Sequence, residues 1–128
     1  MNNETQQLLD QLRQISNRSL GGEISWSQPT PSTFQWVKET PEGSLVVSIQ
    51  RAFSSLAVFK VLGEKNSLSN PESFDFLFQV QEASPKRVLV SVSSKERPEL
   101  AGVLAEVYAS AERGVDSRTA RVIDRLLD

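Results

Sequence analysis

With neither histidine nor cysteine among its 128 residues, the chain has no imidazole base, no thiolate nucleophile and no cysteine-based zinc or iron–sulfur site. Acid–base or metal chemistry would therefore fall to carboxylates. Glu39, Glu42, Glu64, Glu72 and Asp75 are placed by the pattern at turns or strand ends, and none forms an alternating Asp-x-Asp cluster. A glycosidase pair or a magnesium site needs convergent carboxylates, and this spacing supplies none. The glycines at 21, 22, 43, 63, 102 and 114 compose neither GxxxxGK[ST] nor GxGxxG, and GxSxG and Ser-x-x-Lys are also absent. The expectation is a protein that is not an enzyme, with no catalytic residue, no metal ligand and no cofactor.

The segment Ser110 to Ile123 carries the remaining local signal. A small residue precedes Gly114, then come Val115, a capping Asp116, Thr119 and inward positions Ala120 and Ile123. This resembles the helix-turn-helix of bacterial repressors, whose second helix enters the major groove. The resemblance covers about a tenth of the chain and would cast Ser117, Arg118 and Arg121 as nucleic-acid contacts. From Lys95 to Asp128 six basic residues face seven acidic ones, a local balance that is no electrostatic footprint for DNA. DNA binding by the last two helices is thus the alternative reading.

The elements that must position these residues follow from periodicity. Leu8, Leu9, Leu12 and Ile15 recur at helical spacing from Asn3 to about Leu20, and Gly21-Gly22 stops that helix. Alternation predicts strands near 24–27, 33–39, 44–51, 56–62, 74–82 and 87–93, with Pro29 and Pro31 interrupting pairing and the polar stretch 63–73 left as a loop. Core-facing sets are Phe34 and Trp36; Leu45, Val47 and Ile49; Phe74, Phe76, Phe78 and Val80; and Val88, Val90 and Val92. Trp26, Phe34 and Trp36 could make a stacking platform, yet with only Lys38 nearby they read as core. After Arg97-Pro98 an apolar stripe runs from Leu100 to Ala111, Gly114 ends that helix, and a second helix carries Val122, Ile123, Leu126 and Leu127. The fold class is α+β over residues 1–128 as one domain. It has an N-terminal helix, a mostly antiparallel sheet of about five to six strands, and two C-terminal helices packed on the sheet.

The other face of that sheet is half apolar. Val37, Val46, Phe59, Val61, Leu77 and Leu89 alternate there with Gln35, Ser48, Gln50 and Gln79, and a fully solvated face would be more polar. Either the chain's own helices cover both faces, or these six residues bind a protein partner or a second copy in a homodimer. Apolar residues at 38% and charged residues at 23% fit an ordinary globular chain. A formal charge of −2, with no leader-like N-terminus and no long apolar run, disfavours nucleic acid, membrane and export, so a cytoplasmic protein is expected. Size, acidity and element order are loosely similar to secretion chaperones and immunity-type inhibitors, although no motif is shared. The leading reading is a non-catalytic interaction module: a small adaptor, inhibitor, chaperone-like or regulatory protein working through a surface.

Overall fold

The structure, a computed structural model, describes residues 3–53 and 74–128. Helix α1 (Asn3–Leu20) leads into strands β1 (Ser27–Thr30), β2 (Thr33–Thr40), β3 (Gly43–Phe53), β4 (Phe74–Ala83) and β5 (Lys86–Ser93). A 3-10 turn (Pro98–Leu100) then opens helix α2 (Ala101–Leu127). The five strands form one antiparallel sheet in the order β1-β2-β3-β4-β5, a meander in which every strand pairs with its neighbours in the chain.

Two corrections to the sequence reading emerge. The helices number two among the described residues, because α2 runs unbroken through Gly114. One glycine inside a helix costs only about 1 kcal/mol, too little to end a helix whose first three turns are anchored in a core. The first strand, expected at 24–27, runs Ser27–Thr30 with Pro29 inside it; β1 is an edge strand, where a missing N–H need not break a ladder. The expected strand at 56–62 and the loop at 63–73 lie outside the described residues.

One face of the sheet and both helices enclose the core. Phe34, Val47, Ile49, Phe76, Phe78 and Val92 meet Leu9 and Leu12 of α1 and Val103, Leu104, Val107, Tyr108 and Ala111 of α2 in a single buried cluster. Trp26 and Phe34 are buried and Trp36 is half-buried, so these aromatics do pack the interior. Tyr108 sits edge-on to Phe34 at 5.1 Å and tilted against Phe76 at 5.7 Å. The Arg51 guanidinium lies over its ring at 4.9 Å.

The two helices run side by side in the same direction. Arg97, just before α2, donates to Thr5 at the start of α1; Ser16 donates to the Glu106 carbonyl midway; and the end of α1 lies beside Gly114 and Arg121. Buried Thr5, Ser16 and Ser19 give α1 a narrow inner stripe that allows a close approach. Among the described residues no helix is long and apolar enough to cross a membrane.

Candidate functional site

Two surfaces combine exposed apolar or cationic side chains with defined geometry. The first is the sheet face turned away from the helices. Strand pairing assigns its rows: Thr33, Gln50, Leu77 and Ser93; then Gln35, Ser48, Gln79 and Ser91; then Val37, Val46, Gln81 and Val88. Not one of these twelve residues is charged. Side-chain bonds tie part of the face together, with Gln79 Nε2 donating to Ser91 Oγ at 3.3 Å and Gln81 Nε2 to Gln79 Oε1 at 3.3 Å. Val37 is 48% exposed and Val88 50% exposed, so the apolar row is open at both ends.

Val37, Val46 and Leu77 therefore share this face, as the alternation predicts. Leu89 is displaced by a bulge: β4 pairs Val80 with Val90 but Gln81 with Val88, which leaves Leu89 as the extra residue. The same bulge moves Val88 out of the core-facing set and onto the open face, a correction to its expected place. A single extra residue reverses which side the next residue faces, and alternation alone carries no sign of it. Val90 keeps its inward register opposite Val80 yet remains 40% exposed. Phe59 and Val61 lie outside the described residues.

The second surface is a trough of about 620 Å³ where the end of α1 and the following loop meet the middle of α2. Leu20, Gly21, Gly22 and Ser25 form one wall, and Arg113, Ser117, Arg118 and Arg121 the other. Ser117, Arg118 and Arg121, expected on a separate recognition helix, instead line this trough as members of a continuous helix. A helix-turn-helix is not formed here. Arg118 donates to the backbone carbonyl of Trp26 through one of its guanidinium nitrogens. Beneath it the Trp26 indole donates to Ser19 Oγ at 2.9 Å, and Ser19 donates onward to the Ile15 carbonyl at 2.8 Å. Gly114 lies against that same indole. Arg113 escaped the sequence reading because it precedes the expected turn; helical spacing of 113, 117 and 121 at i, i+4, i+8 could have placed it beside Arg121 once the turn was abandoned.

Titration behaviour does not single out either surface. Among the described residues the two shifted groups are Glu99 and Tyr108. Backbone hydrogen bonding, assisted by Arg97, holds the exposed Glu99 carboxyl below its ordinary range. Burial pushes the Tyr108 hydroxyl up, Arg51 opposing and Glu112 assisting. That hydroxyl is buried without a hydrogen-bond partner among the described residues. No group of three or more metal-binding side chains converges among the described residues. No protein-family model, curated protein or solved structure matches the chain.

Proposed function

We propose that the chain is a non-catalytic interaction module whose open sheet face is covered in the working state by a protein, and that this protein is a second copy. The observation carrying this reading is the apolar row Val37–Val46–Gln81–Val88, open at both ends, with uncharged Gln35, Ser48, Gln79 and Ser91 along one side. Exposed apolar rows of this kind gain by burial at about 25 cal/mol per Å² removed from water. The rows Val37–Val46–Gln81–Val88 and Gln35–Ser48–Gln79–Ser91 hold no charge, so they can stack on their own copies about a two-fold axis with no like-charge clash.

Light scattering over a wide micromolar range provides the test, with Val46→Lys as the variant because Val46 lies in the middle of the row. A wild-type dimer that becomes a monomer in Val46→Lys, with unchanged circular dichroism, supports the reading. A strict monomer at every concentration overturns the second copy as occupant. A dimer indifferent to Val46→Lys moves the interface off this face altogether.

A further inference from the structure

The trough beside α2 has a charge pattern that the fold does not require. Three arginines line it and no carboxylate does. Arg113 and Arg121 make neither an ion pair nor a hydrogen bond within the described residues, whose salt bridges are Arg87–Glu82 and Arg97–Glu99. Cations beside a helix C-terminus often serve its free carbonyls. Here α1 closes its own end, with Gly21 N–H bonding the Asn17 carbonyl at 3.0 Å, Gly22 the Ser19 carbonyl at 3.2 Å and Glu23 the Arg18 carbonyl at 2.9 Å. Arg113 and Arg121 are left for something else.

We propose that this trough binds an acidic polypeptide segment of a partner protein, with the guanidiniums of Arg113, Arg118 and Arg121 accepting its carboxylates and Leu20 its apolar side chains. Arg118 is already anchored by the Trp26 carbonyl, so much of its ordering cost precedes binding, and the rest of its five N–H groups stay available. Gly21, Gly22 and Ser25 on one wall and Gly114 on the other let a backbone come close. Leu20, 55% exposed at the rim, provides an apolar contact that a bare anion would not use. Nucleic acid is the poorer fit, because a duplex carries its phosphates beyond the trough, toward Asp116 and Asp124, which lie outside the lining, whereas a short acidic segment can end within it. This surface is separate from the sheet face and does not depend on what occupies that face.

The test follows the Trp26 indole N–H signal in the full chain by NMR, since that indole lies directly beneath the trough. Four probes are titrated: a short peptide alternating Glu and Leu, its Gln and Leu counterpart, inorganic phosphate, and a random-sequence DNA duplex. The proposal expects a saturable shift with the Glu peptide and none with the Gln peptide. Arg113→Glu with Arg121→Glu should weaken that binding by about tenfold or more, the scale of a lost charge-assisted contact. Arg125→Glu, equally basic but outside the trough, and Val46→Lys on the sheet should leave it within about twofold, a difference of under 0.5 kcal/mol. No shift with the Glu peptide overturns the proposal, as does equal response to the Gln peptide. Saturation by phosphate alone would make the trough a small-anion site, and preference for the duplex would make it a nucleic-acid site; either result overturns it.

Discussion

The stretches 101–111 and 116–127 of α2 each carry four large apolar residues and have opposite fates. Between Ala101 and Ala111 the helix buries Val103, Leu104, Val107, Tyr108, Ser110 and Ala111. From Asp116 onward every residue is exposed, Leu126 at 78% and Leu127 at 80%. Periodicity is as good in the second half as in the first, since Val122, Ile123, Leu126 and Leu127 recur at i, i+1, i+4 and i+5. What differs is the partner beneath, because the sheet and α1 lie under the first half, whereas in the second only the end of α1 and its following loop come alongside, as far as Arg121. An apolar stripe therefore reports a surface able to be buried, and tertiary length decides whether it is.

The sharpest way to break this contrast is a pair of leucine deletions. Leu104→Ala, at a fully buried site, should cost about 2–5 kcal/mol in urea unfolding. Leu126→Ala should stay within about 0.5 kcal/mol, and a comparable loss there would mean that the overhang is packed in solution. Gly114→Ala probes the junction between the halves. A Cβ there would meet Trp26 Cδ1 at 3.9 Å, an ordinary contact, so relief of the glycine penalty should stabilise the protein by about 0.5–1 kcal/mol. A loss instead would show that helix continuity at 114 is bought against strain. The smallest effect concerns Tyr108 in the buried half. Its folded pKa lies above the ordinary 10.0, so its contribution to stability is complete below that pH and fades as pH rises through the folded value. Tyr108→Phe should match or slightly exceed wild type at neutral pH, since the hydroxyl it removes is buried without a partner. Its urea midpoint should then fall less than that of wild type above pH 10, and parallel curves would refute the assignment.

Much of the fold was legible because the signals are local. The bounds of α1, the β2–β3 hairpin and the β4–β5 hairpin follow from side-chain period and turn residues alone. The features that escaped are non-local. Pro29 is tolerated because β1 lies at an edge, the bulge near Leu89 is set by pairing with β4, and Gly114 stays helical because the turns before it are held by the core. On the candidate surfaces, Val37, Val46 and Leu77 were visible in the alternation. Val88 and Arg113 were not, since each depended on one of those three-dimensional facts.

The meander and the parallel helix pair together set an order of assembly. Hairpins β2–β3 and β4–β5 join chain neighbours and can form early, whereas α1 and α2 are separated in the chain by all five described strands. During synthesis the inner face carrying Phe34, Val47, Phe76 and Phe78 leaves the ribosome before the helix that roofs it. Until the 27 residues of α2 follow, on the order of seconds at ordinary translation rates, that face of the nascent sheet has only α1 to cover it.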